Sequence, residues 1–488
     1  MKAGTMKKGF EEFLRESGEV GVVELVTSAV VIAAGLPGAR LSEMVLFESG
    51  EKGQVSGLSQ LGVEILVFSR LQIRVGTRVA RTDNFLTVAM GEGLLGKTIN
   101  ALGEGGEEGM RYRVDVVPMG ITSRRRISRP LETGVLIIDL MIPLGRGQKE
   151  LVMGDRKTGK SQVVLQAMLN QARLGSICVY AAVGKRRQEI KRVEEFVAEK
   201  KISAQTAIVA ASSEDSAGEV YISPYTAMTI AEYFRDTGRD VLLVVDDLLT
   251  HAKYYRELSL LSRKFPGRES YPGDVFHVHS RLLERGGNFV VNLPASAEGS
   301  GGAKEAAITV LPIVDTIAGD ITGYIPTNLM SMTDGHIYFD AELFFKGRRP
   351  AIDPFVSVTR VGYQTLTSLQ REIARELSTL LLAYEKTQSF LRFGTELGEN
   401  SRRVLALGGK VLAFFDQPIM SVVPAKLQTA LLGWLWSGMW DGKDLARMLE
   451  WYETDPDRAA QVDKIVTEAK DLSSLSAKCR ERQDLFAV

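Results

Sequence analysis

An eight-residue motif constrains this chain more than any other feature of its sequence. The pattern G-x-x-x-x-G-K-[ST] is met by Gly154-Asp155-Arg156-Lys157-Thr158-Gly159-Lys160-Ser161. Glycines let backbone N–H groups turn onto phosphate oxygens, where side chains would obstruct them. Lys160 supplies a positive charge to the β- and γ-phosphates, and the Ser161 hydroxyl can ligate Mg²⁺. The motif therefore predicts a loop that holds the phosphates of a nucleotide.

The surroundings of this loop predict an α/β core. An apolar run at 150–153 precedes the loop, and a helical pattern at 161–174 follows it. Strand-like and helical patterns then alternate, which is typical of a mainly parallel sheet covered by helices. The apolar run 241–245 ends in two acids, Asp246 and Asp247. A carboxylate at a strand end can hold Mg²⁺ directly or through water, and we predict Asp246, the first of the two, in that role.

The 488 residues suggest about three domains. Three different patterns of apolar residues follow one another along the chain. Residues 19–90 contain many short Val- and Leu-rich runs separated by turns, which predicts a small β-barrel. Residues 91–363 carry the α/β pattern. From 364 to 488 apolar residues return every three or four positions, which predicts helices. We expect a β-barrel, an α/β core and a helical bundle, preceded by a polar N-terminal segment, 1–18.

Composition narrows the function classes. The formal net charge is +0, so no broad field attracts nucleic acid or anionic lipid. Two distant cysteines make neither a disulfide framework nor a metal pattern. No apolar stretch approaches the ~20 residues of a spanning helix, so we expect a soluble chain. His277 and His279 do not predict a metal site, because positions i and i+2 of a helix point to different sides.

Several further segments, in order along the chain, resemble one family. They are RPLETG (129–134), IPLGRGQ (142–148), YPGDVF (271–276), HSRLLER (279–285), AGD (318–320), YIPTN (324–328), TDG (333–335), RPAI (349–352) and SVTRVG (357–362). With the phosphate loop, these segments resemble the α subunit of F-type rotary ATP synthases. The resemblance covers essentially the whole chain. It implies a barrel crown, a RecA-like P-loop core and a helical C-terminal domain, in agreement with the three sequence patterns.

The resemblance also implies partners and a place in the cell. In this family, α and β subunits alternate in a hexameric ring around a γ rotor stalk, and δ and b subunits form a peripheral stalk, which residues 1–18 would contact. The α site binds ATP or ADP with Mg²⁺ without turning it over. The ring lies on the cytoplasmic face of the bacterial plasma membrane and meets the membrane sector indirectly. An organelle-encoded origin also fits.

One position separates a catalytic from a non-catalytic subunit. Hydrolysis needs an acceptor that orients the attacking water, and catalytic β-type chains carry a Glu there. This chain has Lys185, which accepts no hydrogen bond, whereas family α chains usually have Gln. Glu189 could substitute only if its loop turned inward. We therefore expect a nucleotide that stays intact.

By resemblance, four further residues have assigned places. Arg360 matches the arginine that α subunits extend into the neighbouring catalytic site, where a guanidinium can stabilise the transferring phosphoryl group. Arg349, Pro350 and Gln417 would line the adenine pocket. Two departures bear on affinity and selectivity, since Ile419 replaces a second pocket glutamine and Lys157 replaces the usual loop Gln.

Two other hypotheses use the same loop. A homo-hexameric secretion ATPase or helicase would carry its own catalytic carboxylate, which Lys185 displaces. A structural ring spacer without nucleotide conflicts with Lys160 and Ser161. ATP turnover by the isolated chain separates the first alternative from a non-catalytic subunit, and equilibrium ATP binding separates the second.

Overall fold

The computed structural model describes residues 9–106, 109–293, 302–391, 398–440 and 445–486. The chain divides into two compact units. The first unit comprises the chain up to 124 with 176–314 and 322–332, and the second comprises 125–175, 315–321 and the chain from 333 onward.

The strands and the helices are numbered separately along the chain. The strands are β1 (Val20–Val26), β2 (Val30–Ala34), β3 (Glu43–Phe47), β4 (Lys52–Ser59), β5 (Gly62–Val67), β6 (Arg78–Phe85), β7 (Thr87–Met90), β8 (Thr98–Ile99), β9 (Met110–Arg113), β10 (Pro130–Leu131), β11 (Leu144–Gly145), β12 (Leu151–Asp155), β13 (Ile177–Lys185), β14 (Thr206–Ser212), β15 (Val241–Asp246), β16 (Gly287–Asn292), β17 (Ala303–Thr316), β18 (Gly335–Phe339) and β19 (Ile352–Thr359). The helices are α1 (Phe10–Ser17), α2 (Leu136–Met141), α3 (Lys160–Arg173), α4 (Arg187–Glu199), α5 (Ala217–Asp236), α6 (Leu248–Leu261), α7 (Val275–Leu283), α8 (Tyr324–Met332), α9 (Ala341–Phe345), α10 (Ser368–Leu391), α11 (Glu399–Phe414), α12 (Ala425–Trp436), α13 (Leu445–Thr454), α14 (Pro456–Glu468) and α15 (Leu472–Glu481).

The first six strands close into a barrel in the order β1-β2-β5-β4-β3-β6, and all neighbours are antiparallel. Successive side chains of a strand point to opposite faces, so every second residue can fill the interior. Val23, Val45, Ile65 and Val79 are each at most 1% exposed in that core. The predicted N-terminal β-barrel is confirmed.

The rest of the first unit is an α/β arrangement. Strands β17, β15, β13, β14 and β8 lie side by side in that order and run parallel, and β16 pairs antiparallel with β17. Residues Val241 to Val245 of β15 are at most 2% exposed, as expected for a strand covered on both faces. The carboxyl ends of β13 and β15 meet at one edge, where Ala182 is the partner of Asp246.

The second unit holds the phosphate loop. Strand β12 runs parallel to β18, which pairs antiparallel with β19. Helices α10 to α15 follow, and their apolar faces bury Leu377, Val411, Leu431 and Leu475. The expected mainly parallel α/β core and helical C-terminal domain are confirmed. Within the described stretches of chain, no helix combines the length and the apolar character needed to cross a bilayer.

Candidate functional site

The phosphate loop connects β12 to α3, so the motif has the predicted strand on one side and the predicted helix on the other. Gly154 has φ 150°, and a Cβ there would lie 2.4 Å from the backbone oxygen of Phe339. Gly159 precedes α3 with φ 98°, a left-handed conformation that favours glycine. The two motif glycines thus meet steric requirements of the backbone. The loop ends at the first turn of α3, where the helix dipole favours an anion.

The loop lysine is held in place by oxygen atoms of its own unit. Lys160 is 5% exposed, and its Nζ donates to the carbonyl oxygens of Gly154 (2.8 Å) and Asp155 (2.5 Å). It also lies 3.1 Å from Oδ1 of Asp315, whose Oδ2 accepts a hydrogen bond from Nε of Arg156 at 2.9 Å. Because this carboxylate already neutralises part of the charge, an incoming phosphate has to compete with Asp315 for the ammonium.

Asp155, the acidic residue of the loop, makes hydrogen bonds that hold the loop in place. The Asp155 carboxylate accepts hydrogen bonds from Oγ1 of Thr316 (2.6 Å) and from the backbone N of Gly319 (2.9 Å). Thr158 donates its hydroxyl to the Asp155 carbonyl at 2.7 Å. These bonds tie the loop to the segment that follows β17. The side chains of Lys157 and Ser161 stay exposed, and the role of Ser161 as a metal ligand stays a prediction.

A cleft beside the loop brings together the residues assigned to the base pocket. Arg349, Pro350 and Gln417 line it with Ala351 and Ile419. The remaining lining residues are Thr158, Gly159, Gln162, Val163 and Gln166. The sequence analysis did not include the two α3 glutamines, although the four-residue spacing 158, 162, 166 places them on the loop's side of the helix.

Gln417 is a fixed part of the cleft wall. Its Oε1 accepts a hydrogen bond from the backbone N of Leu136 at 2.9 Å. Its Nε2 donates to the carbonyl oxygens of Gly134 (2.8 Å) and Ser421 (2.6 Å). The side chain is only 3% exposed. The amide is therefore engaged by backbone groups, and Ile419, which is 56% exposed, has the more accessible side chain of the two.

In the first unit, the two strand-end acids share a lysine. Lys185 Nζ lies 2.5 Å from Oδ1 of Asp246 and 3.0 Å from Oδ2 of Asp247. The other Asp246 oxygen accepts the hydroxyl of Tyr180 at 2.6 Å. Asp247 caps α6, accepting the backbone N of Thr250 at 2.6 Å. Burial lowers the pKa of the Lys185 ammonium, but both carboxylates raise it, and the net pKa lies above its ordinary value.

The contacts of Asp246 and Asp247 show whether Mg²⁺ could bind at the end of β15. Both oxygens of Asp246 and both oxygens of Asp247 already contact protein donors. Mg²⁺ requires oxygen ligands at about 2.0–2.1 Å in near-octahedral geometry, and an ammonium stands between the two carboxylates. The strand-end acids therefore do not offer an open metal site, so Asp246 as a Mg²⁺ ligand stays a prediction, and one that this arrangement disfavours.

The other acid considered near this strand end is occupied elsewhere. Glu189 is the third residue of α4, and its Oε2 accepts a hydrogen bond from the backbone N of Arg186 at 3.1 Å. This is the reciprocal contact of a capping box, and the side chain is exposed. Glu189 thus stabilises the start of α4.

Arg360 follows β19 and combines a fixed backbone with an exposed side chain. Its backbone N donates to the Asp334 carbonyl at 2.9 Å, and Nη1 makes one long contact, 3.4 Å, to the Thr333 carbonyl. The preceding Thr359 donates its hydroxyl to the Pro143 carbonyl at 3.0 Å and accepts Nε2 of Gln148 at 3.1 Å. The guanidinium therefore projects from a rigid base.

The two histidines of α7 have different surroundings. His277 is exposed and His279 is fully buried, as expected for positions i and i+2 of a helix. Nε2 of His279 lies 3.2 Å from Nδ1 of His251, whose Nε2 contacts the Tyr221 carbonyl at 2.9 Å. Burial lowers the pKa of His251 to about 4. The sequence analysis missed this contact, because the two histidines are 28 residues apart.

The geometry first defines the class of protein: an α/β protein with a strand–loop–helix phosphate site, an adjoining cleft lined by Arg349, Pro350 and Gln417, and an exposed arginine on a fixed stem. Comparisons with known proteins then identify the family. Residues 134–359 match the nucleotide-binding domain of the ATP synthase alpha/beta family, and residues 367–482 match the C-terminal domain of the ATP synthase alpha/beta chain.

Individual relatives agree along most of the chain. ATP synthase subunit alpha of Lactobacillus helveticus is 37% identical over 483 residues, which cover 96% of this chain and 94% of the relative. The subunit alpha of Neorickettsia sennetsu is 38% identical, with 88% and 85% covered. That of Aquifex aeolicus is 39% identical, with 85% and 82% covered. The chain belongs to the ATP synthase alpha/beta family, and these relatives group it with the alpha subunits.

Proposed function

We propose that this chain holds ATP or ADP at its own loop without hydrolysing it, and that it supplies Arg360 to the catalytic site of a neighbouring β subunit. Lys185 carries this proposal. A water-orienting group must accept a hydrogen bond, and an ammonium bound to two carboxylates cannot. The described residues around the strand end offer no free carboxylate in its place, because Asp246, Asp247 and Glu189 are engaged.

The surroundings of Arg360 support the second half of the proposal. The backbone N of Arg360 donates to the Asp334 carbonyl, and the preceding Thr359 is held by its hydrogen bond to the Pro143 carbonyl. The Arg360 guanidinium is exposed and has one long contact to the Thr333 carbonyl. A finger residue has to reach a phosphoryl group on another chain and bond to it bidentately. A rigid base with a disengaged head group lowers the cost of that contact.

The nucleotide would bind along the second unit. The phosphates would lie on the loop and the start of α3, with Lys160 and Ser161 as ligands of phosphate and of Mg²⁺ that arrives with the nucleotide. The base would enter the cleft next to Arg349, Pro350 and Gln417. When bound, Mg²⁺ would neutralise phosphate charge. No hydrolytic step is assigned to this site.

The remaining parts of the proposal concern assembly. The chain would alternate with β subunits in a hexameric ring around a γ stalk, and δ and b subunits would attach it to a peripheral stalk. Through the membrane sector, this ring would couple ATP synthesis or hydrolysis to ion translocation at the cytoplasmic face of the bacterial plasma membrane. The support is the α-type sequence over most of the chain.

The test uses the purified full-length chain. Equilibrium dialysis with radiolabelled ATP should show binding that Lys160→Ala removes, and thin-layer chromatography of the bound nucleotide should recover ATP unchanged. Lys191→Gln is the matched control, since Lys191 is an exposed lysine on α4 and should bind ATP as the unmodified chain does. Sustained hydrolysis by the isolated chain would instead favour a self-contained ATPase, and absent binding would favour a structural spacer.

A further inference from the structure

The ion-paired lysine at the end of β13 has a consequence for cations that goes beyond hydrolysis. Lys185 is 18% exposed in its side chain, and the two carboxylates it contacts are each 5% exposed. Two adjacent buried carboxylates stay ionised together only with a cation beside them, because like charges in a low-dielectric site repel each other strongly. In this chain that cation is the ammonium group of Lys185, which is part of the protein itself.

The position of this lysine is built into the backbone. Gly184 has φ 61°, and a Cβ there would lie 2.8 Å from Cγ2 of Thr250. The glycine thus lets the end of β13 approach α6 closely, and Thr250 of that helix in turn bonds both oxygens of Asp247. The Lys185 carbonyl accepts the backbone N of Ser213 at 2.8 Å. The ammonium is therefore directed at the acids by a constrained strand end.

We infer that Lys185 occupies the cation position of the Asp246–Asp247 pair, so that this chain takes no divalent metal there. This exclusion rests on the contacts of the pair alone. A compact ammonium with three donors satisfies one oxygen of each acid. A divalent ion would have to displace it against like-charge repulsion.

Removing the ammonium should open the pair to metal. In Lys185→Gln the two acids keep Tyr180 and Thr250 as neutral donors but lose their counter-charge. Carboxylate oxygens are hard ligands that suit Mg²⁺ and Mn²⁺. Lys185→Arg keeps a cation in place and should continue to exclude metal. Lys191→Gln, on exposed α4, controls for the loss of one positive charge.

The experiment measures Mn²⁺ binding to the nucleotide-free full-length chain by the electron paramagnetic resonance signal of free Mn²⁺. We expect Lys185→Gln to bind about one more Mn²⁺ than the unmodified chain, and the double variant with Asp246→Asn to lose it. Lys185→Arg and Lys191→Gln should match the unmodified chain. The inference is overturned if the unmodified chain binds a Mn²⁺ that Asp246→Asn removes, or if folded Lys185→Gln gains none.

Discussion

Replacing Gln417 distinguishes a wall residue of the cleft from a residue that reads the base. In Gln417→Ala, three hydrogen bonds to backbone groups are lost. The two carbonyl oxygens, of Gly134 and Ser421, still accept Nε2 of Gln166. The backbone N of Leu136 loses its Gln417 acceptor inside the protein. One orphaned buried donor costs about 1–3 kcal/mol, so the free energy of unfolding should fall by that amount.

The assay can be confined to the unit that contains Gln417. All four tryptophans of the chain, at 434, 436, 440 and 451, belong to the helical part of this unit. Urea unfolding followed by tryptophan fluorescence therefore reports on it. With a slope of about 2 kcal/mol per molar urea, the midpoint should fall by about 1 M, while ATP affinity changes modestly. Ile419→Ala is the matched control: it also lines the cleft but is largely exposed, so its midpoint should hardly move.

Gln417 is not a wall residue if Gln417→Ala unfolds at the unmodified midpoint and loses most of its ATP affinity. That result would mean that the amide serves the bound base and that its backbone contacts contribute little.

Two further predictions test packing and pH dependence. A Cβ at Gly408 would lie 2.4 Å from the Tyr384 ring, whereas a Cβ at Gly409 on the same helix would meet open space. Gly409→Ala should therefore raise the free energy of unfolding by about 0.5–1 kcal/mol, and Gly408→Ala should lower it by about 1–3 kcal/mol, both measured by urea unfolding with tryptophan fluorescence. Equal shifts would contradict the packing of α10 on α11. Burial lowers the pKa of His251 from 6.5 to about 4, so the unfolded chain takes up a proton that the folded chain refuses as the pH falls below 6.5. This titration should contribute a stability loss of about 2 kcal/mol between pH 7.5 and pH 5. It is measured by urea unfolding with far-ultraviolet circular dichroism, as the difference between the pH dependence of the unmodified chain and that of His251→Gln.

Much of the architecture could be predicted because periodicity reports local structure directly. The strand–loop–helix around the phosphate motif, the barrel and the helical C-terminal region all follow from it, with α3 starting at Lys160 and β12 extending to Asp155, two residues beyond the predicted end. The opposite environments of His277 and His279 also followed from helical geometry alone.

Contacts between distant segments could not be predicted in the same way. The ion pairs of Lys185 depend on the register of β13 against β15, which places their ends at one edge. The pairing of Asp315 with Lys160 depends on where β17 ends. The saturation of the Gln417 amide depends on backbone atoms of 134–136 and 421. In each case, the residue type was visible in the sequence but its partner was not.

We propose that this chain contributes an arginine, and not a water-activating group, to hydrolysis. The most direct measurement is steady-state ATP turnover by a ring reconstituted from its β-type partner and this chain carrying Arg360→Ala. Arg187→Ala, a change at an exposed arginine on α4, is the control. We predict that Arg360→Ala lowers turnover by about 10³–10⁵ with the ring still assembled, while Arg187→Ala leaves turnover unchanged. An assembled Arg360→Ala ring that hydrolyses ATP at the unmodified rate would contradict this role of Arg360.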